Sequence, residues 1–157
     1  MAKRMALPTT QPPESASPYE PHLAPAGSGL RLLVADDNLD AAESLALLME
    51  VDGHTVHIAH GGQEALEMLK RESVSLVVSD LRLPDLDGIA LLKQARELRP
   101  EVEVVMITGY GSIEQAVEAM RMGAYDFIQK PLDSAALLKT VAKALEKQRL
   151  THENRQL

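Results

Sequence analysis

Four short apolar runs in this chain each lead into a group that can carry or transfer charge. Leu32-Leu33-Val34-Ala35 ends in Asp36-Asp37, and Val74–Val78 is followed by Ser79-Asp80. Val102–Ile107 leads into Thr108-Gly109, and Tyr125–Ile128 into Lys130-Pro131. A fifth run, Thr55–Ala59, ends in His60-Gly61-Gly62, which offers a turn and little else. If these ends meet, three carboxylates, one hydroxyl and one ammonium share a site of nominal charge −2, three negatives less one positive. Like-charge repulsion in such a cluster raises carboxylate pKa values, and a divalent cation relieves it. Oxygen ligands without imidazole or thiolate favour Mg²⁺ (or Mn²⁺), a hard ion that keeps waters and shares itself with a phosphate. The chemistry this suits is phosphoryl transfer to a carboxylate, with an aspartate holding a covalent acyl phosphate. The cation and the lysine would neutralise charge on the phosphoryl oxygens, and the hydroxyl would bind one of them. A single acid at one such exit is ordinarily a helix cap or a solvated loop group; five matching groups at four exits outweigh that reading.

These groups meet only if the elements between them are arranged to bring the exits together. The β-branched runs read as strands, and the segments between them carry apolar residues at helical spacing. Ile113, Ala116, Val117 and Met120 form one such stripe, and Leu91, Ala95 and Leu98 another. Asn38 to Met49, Gln63 to Lys70 and Ser134 to Gln148 complete the set. Gly53, Pro100 and Gly123 stand where helices should end. Five strands each followed by a helix predict an α/β fold: a flavodoxin-like (βα)5 doubly wound parallel sheet, strand order 2-1-3-4-5. In such sheets function gathers beyond the carboxyl ends of the strands, where strand order reverses. Asp80, at the end of a central strand with the other groups flanking it, is then the best candidate nucleophile.

Composition bounds the function. The chain has 157 residues, enough to bury a sizeable core. With three Tyr, one Phe and no Trp there is little from which to build a base-stacking surface. A formal charge of −7 opposes nucleic acid and anionic membrane as partners. The absence of cysteine excludes disulfides and thiolate zinc sites. No apolar run approaches the length of a membrane span or a signal peptide, so a cytoplasmic protein is expected. Six of the nine prolines fall before residue 30, among Ser, Thr and Gly. Residues 1–29 are therefore expected to form a disordered Pro-rich extension. Residues 30–148 are expected to form the folded domain, with 149–157 a charged helical tail.

As a set, these residues resemble the receiver domains of bacterial two-component response regulators. The resemblance spans about Leu32 to Leu145. It rests on Asp36-Asp37, on Asp80 with Pro84 and Gly88 following in Asp80-Leu81-Arg82-Leu83-Pro84-Asp85-Leu86-Asp87-Gly88, on Thr108, and on Lys130-Pro131. It implies that Asp80 is the phosphoacceptor and that Asp37, Asp80 and the backbone carbonyl of Arg82 ligate Mg²⁺. Asp36 would act mainly through a metal-bound water. Lys130 would pair with the phosphoryl group, and its peptide bond to Pro131 would be cis. Thr108 and Phe127 occupy the family's switch positions, where the hydroxyl moves toward the phosphoryl group and the aromatic ring swings inward. Strand packing is an equally good account of Phe127, and the two are compatible.

The stretches Thr108–Ile113 and Ala119–Phe127 look like receivers of the nitrogen-regulator type, which commonly precede an ATPase working with the alternative sigma factor. No G-x-x-x-x-G-K-[ST] phosphate loop is present. The implied function is a signalling switch, with self-catalysed phosphotransfer and dephosphorylation but no separate enzyme activity. The implied partner is a sensor histidine kinase. Two seams are open to a homodimer, the fourth helix with the fifth strand and fifth helix, or the C-terminal helix; Leu138, Val141, Leu145, Leu150 and Leu157 break strict heptad spacing, and a frayed, solvated helix end is the alternative there. Arg82 and Tyr110, two residues after Asp80 and Thr108, are expected to flank the phosphoryl group and slow its hydrolysis.

Other readings are weaker. His54, His57 and His60 resemble a metal cluster, but on a strand His57 faces away from the other two. The methionines at 49, 68, 106, 120 and 122 read mostly as core filler. A haloacid-dehalogenase-like phosphatase also combines an aspartyl nucleophile, Mg²⁺, Thr and Lys, but needs D-x-D-x-T, which Asp36-Asp37-Asn38-Leu39-Asp40 lacks. A phosphorylation-independent docking module would have no need of charge converging on one edge.

Overall fold

Alternate residues on each central strand project to opposite faces, and here both faces are apolar, as a sheet covered by helices on both sides requires. A computed structural model describes residues 30–109 and 112–156 of the chain. In order, the elements are β1 (Arg31–Ala35), α1 (Leu39–Val51), β2 (Thr55–Ala59), α2 (Gly62–Arg71) and β3 (Leu76–Asp80). They continue with α3 (Gly88–Leu98), β4 (Glu103–Thr108), α4 (Ile113–Arg121), β5 (Asp126–Gln129) and α5 (Ser134–Gln156). All strand pairs are parallel and the order is β2-β1-β3-β4-β5, as expected. Helix α5 continues unbroken through Gln156. The Pro-rich stretch 1–29 and Tyr110 lie outside the described residues.

The two faces bury separate cores. Leu32, Val34, Leu76, Val78, Val105 and Ile107 pack with Leu45 and Met49 of α1 and with Leu137, Val141 and Leu145 of α5. Leu33, Val77, Val104 and Met106 pack on the other face with Leu66 and Leu69 of α2, Leu91 and Leu92 of α3, and Ala119 of α4. Truncating such residues to Ala typically costs about 2–5 kcal/mol. Helix ends follow local chemistry. The Asn38 side chain accepts from the Ala41 amide at α1, and Ser112 with Gln115 forms a capping box at α4. Gly53 and Gly123, with φ of +94° and +103°, take the left-handed conformation after α1 and α4.

Two expected stripes differ from what forms. Leu91 and Ala95 are buried but Leu98 is exposed. On α4, Ile113, Val117 and Met120 face solvent, with Ile113 82% exposed, and Ala119 alone among that helix's residues is fully buried. Periodicity identifies an apolar face but not which side of the helix meets the sheet. Met120 is accordingly no core filler, whereas Met49 and Met106 are completely buried.

Candidate functional site

The register of the sheet assembles the site. Ala35 pairs with Ser79, which places Asp36 beside Asp80, the last residue of β3. Asp80 pairs with Ile107, so Thr108, the last residue of β4, stands one step beyond it. Thr108 pairs with Gln129, and its carbonyl accepts from the Lys130 amide at 2.8 Å. The Lys130-Pro131 peptide is cis. Four residues distant in the chain thus line one edge in the order Asp36, Asp80, Thr108, Lys130.

The charged atoms approach closely. Lys130 Nζ donates to Asp80 Oδ2 at 3.3 Å and lies 3.9 Å from Asp36 Oδ2. Asp80 Oδ1 accepts from the Arg82 amide at 3.0 Å, and Asp36 Oδ1 from the Asn38 amide at 2.9 Å. The side chains are 4% exposed for Asp36, 14% for Asp80 and 34% for Lys130, so the pocket opens to solvent over the Asp80 carboxylate and the ammonium. Burial, the largest cause, pushes the Asp36 carboxyl above its ordinary pKa. The Asn38 amide opposes it, the charge of Asp80 adds to the rise, Lys130 counters, and Asp37 adds again. Asp37 itself is exposed, and Thr108 is buried.

A hard cation fits this donor set. The candidate donor atoms are all carboxylate or carbonyl oxygens, and one ammonium leaves the acids undercompensated. Among the described residues no group of three His, Cys, Asp or Glu side chains is placed to hold a metal ion. A hard cation held through one or two carboxylates, with waters completing its shell, does not need such a group. Phe127 is half-buried against the core face formed with α2, α3 and α4. The three histidines do not gather: His54 Nδ1 accepts from the Leu30 amide at 3.4 Å, His57 Nε2 is buried, and His60 pairs with Glu64.

Two further features belong to the loop that follows Asp80. Gly88 closes the β3–α3 loop, its amide donating to the Leu81 carbonyl at 2.9 Å. A Cβ there would lie 2.7 Å from the Leu81 carbonyl oxygen and 2.8 Å from that of Asp80, so only glycine fits. The other was missed in the sequence: the Asp85 carboxylate accepts from the Gly62 amide at 2.8 Å and the Gln63 amide at 3.1 Å. These bonds hold its pKa below the ordinary aspartate value, Gly62 contributing most. The available signal was a helix beginning at Gly61-Gly62, which supplies no capping side chain and so requires an acceptor from elsewhere.

The model of the response regulator receiver domain matches residues 32–142, most of the chain and every residue of this edge. The chain belongs to the response regulator receiver domain family. This receiver is 37% identical over 126 residues to the C4-dicarboxylate transport transcriptional regulatory protein DctD of Rhizobium meliloti (strain 1021), covering 80% of the chain and 27% of the relative. It is 40% identical over 114 residues to the transcriptional regulatory protein ZraR of Escherichia coli (strain K12), covering 73% and 26%. The chain thus spans about a quarter of the length of these curated relatives. Among solved structures, a CheY-like receiver from Methanospirillum hungatei JF-1 superposes with a TM-score of 0.76 at 34% identity, covering 79% of this chain and 99% of that one. The receiver domain of NtrX from Brucella abortus does so with 0.70 at 40% identity, covering 73% and 98%. The beryllofluoride-activated NtrC4 receiver domain dimer matches with 0.72 at 34% identity, covering 75% and 98%. Among the described residues, no helix is long and apolar enough to cross a membrane.

Proposed function

We propose that this receiver is a phosphorylation-activated switch in which Asp80 takes a phosphoryl group from a sensor histidine kinase. The observation that carries this reading is the Lys130 ammonium set 3.3 Å from the Asp80 carboxylate at the exits of β5 and β3. An Asp80 oxygen forms the bond to phosphorus while the bond from phosphorus to the donor imidazole breaks, its electron pair staying on nitrogen. Lys130 orients Asp80 beforehand and pairs with the phosphoryl oxygens afterwards, and the Thr108 hydroxyl donates to one of them. Asp37, Asp80 and the Arg82 carbonyl would hold Mg²⁺, with Asp36 acting through a bound water. That ion supplies charge neutralisation for the phosphoryl oxygens.

Output follows from the outward face of α4. Ile113, Val117 and Met120 are exposed beside β5, where Phe127 lies, and a change at Thr108 and Phe127 would alter this surface. The activated NtrC4 receiver is a dimer, and a homodimer of this chain would form either through α4, β5 and α5 or through the C-terminal helix. Curated relatives are transcriptional regulatory proteins, and we assign this receiver to a regulator of that kind.

Adding beryllofluoride to the chain in magnesium-containing buffer tests the reading. Saturable shifts in the amide resonances around Asp80, Thr108 and Lys130, absent in Asp80→Asn, are expected. Steady release of phosphate from many unrelated esters would instead favour a haloacid-dehalogenase-like phosphatase.

A further inference from the structure

The β3–α3 loop, residues 81–87, carries the Arg82 carbonyl and follows directly on Asp80. Its two ends are tied by main-chain bonds: the Leu81 amide donates to Ile107 at 2.8 Å, and the Gly88 amide to Leu81 at 2.9 Å. The Arg82 amide is turned back onto the acceptor, donating to Asp80 Oδ1. The middle of the loop reaches across 23 residues of sequence, where Asp85 accepts from the first amides of α2. Both partners are shaped for this approach. A Cβ on Gly61 would stand 2.8 Å from Asp85 Oδ1, and one on Gly62 would stand 2.5 Å from Leu86 Cβ. Helix α2 has no side-chain cap of its own, so the carboxylate fills that place from outside the helix. The turn after β2 is therefore built to receive the acceptor's loop.

We propose that Asp85 is a positioning residue for the magnesium and phosphoryl pocket: by clasping the α2 N-terminus it fixes the β3–α3 loop and, through it, the Arg82 carbonyl and the Asp80 carboxylate. The inference rests on the assignment of Asp80 and Arg82 made in the preceding section. Each Asp85 oxygen engages a different amide, so the loop is held against rotation as well as displacement. Groups that orient metal ligands without touching the ion commonly change metal affinity by about 10–100-fold when removed.

Mg²⁺ titrations of the full chain, followed by amide resonances, test this in Asp85→Ala, Asp85→Asn and Gly61→Ala, with Asp37→Asn as the control for the ion site. The glycine variant disturbs the clasp from the α2 side, and its extended backbone, with φ of −163°, accepts alanine without strain. The expected result is Mg²⁺ affinity about tenfold weaker in Asp85→Ala and Gly61→Ala, with Asp85→Asn in between because it keeps one acceptor oxygen. Without Mg²⁺, the Gly62, Gln63 and Arg82 amides should exchange faster in Asp85→Ala. A lowered Tm with unchanged Mg²⁺ affinity and unchanged Arg82 exchange would overturn the proposal and leave Asp85 as a helix cap alone. If Asp85→Ala does not fold, the other two variants decide by the same affinities. Failure of the wild type itself to bind Mg²⁺ would overturn the pocket assignment, and the positioning role with it.

Discussion

Lys130 Nζ lies 3.3 Å from Asp80 Oδ2 although fifty residues separate them and β4 runs between their strands. The contact exists because Asp80 ends a central strand while Lys130 begins where the edge strand β5 has run out, so its long side chain can reach back over Thr108. One ammonium also serves Asp36, at 3.9 Å. The pocket is thus left with more negative charge than its own lysine compensates.

That excess predicts opposite effects on stability and binding. Asp36→Asn removes a buried charge strained by desolvation, by Asp80 and by Asp37, and it should raise Tm in chelator by a few degrees, about 4 °C for each kcal/mol gained. Magnesium at ten times its Kd should stabilise the wild type by about 1.4 kcal/mol and Asp36→Asn by much less. Thermal melts with and without magnesium check both; a lower Tm for Asp36→Asn in chelator would contradict the account.

Arg82 is exposed, with its amide fixed on Asp80 Oδ1, so its side chain departs from the rim of the pocket. Replacing it with Ala should shorten the lifetime of phospho-Asp80 several-fold, since the guanidinium can both bond a phosphoryl oxygen and impede water. The decay of labelled protein measures this. Unchanged or slower loss would count against Arg82 as a shield.

At the opposite end of the sheet, Glu103 is almost fully buried, with Oε2 3.4 Å from Lys147 Nζ of α5 and Oε1 lacking a hydrogen bond. Lys147 also lies 5.8 Å from the centre of the Tyr125 ring. Lys147→Met should destabilise the domain by about 1–2 kcal/mol, less than a fully enclosed pair because the lysine is half exposed. Glu103→Leu combined with Lys147→Met should recover most of that loss. Denaturant unfolding of the wild type, both single variants and the double variant distinguishes a coupled pair from independent sites.

Burial lowers the pKa of His54, with Asp52 opposing, and the unprotonated Nδ1 accepts from the Leu30 amide. Because the folded value lies below the unfolded 6.5, the unfolded chain binds more protons between the two. The neutral ring's contribution is therefore complete above 6.5 and is lost as pH falls toward the folded pKa. Tm measured from pH 7.5 to 5 should fall less steeply in His54→Asn than in the wild type. Parallel curves would exclude His54 as a source of the slope.

Fold and site were legible in the sequence to different depths. Runs such as Thr55–Ala59 formed strands at the expected positions, because β-branched residues between turn signals leave few alternatives. Strand order brings Asp80 and Thr108, which end β3 and β4, to one edge with Asp36 and Lys130, which follow β1 and β5 directly. The direction of the α4 stripe was not legible: Ile113, Val117 and Met120 have core spacing, yet small Ala119 is what meets the sheet. Nor was Asp85, whose partners are main-chain amides of Gly62 and Gln63 and leave no mark in residue type beyond two glycines.

The most direct test of the central claim is intact mass after incubation with acetyl phosphate and Mg²⁺. Wild-type chain should gain the mass of one phosphoryl group, reversibly and only with the divalent ion, while Asp80→Asn gains none. Equal labelling of the two proteins, or none in the wild type under conditions where it is folded, would contradict Asp80 as the acceptor.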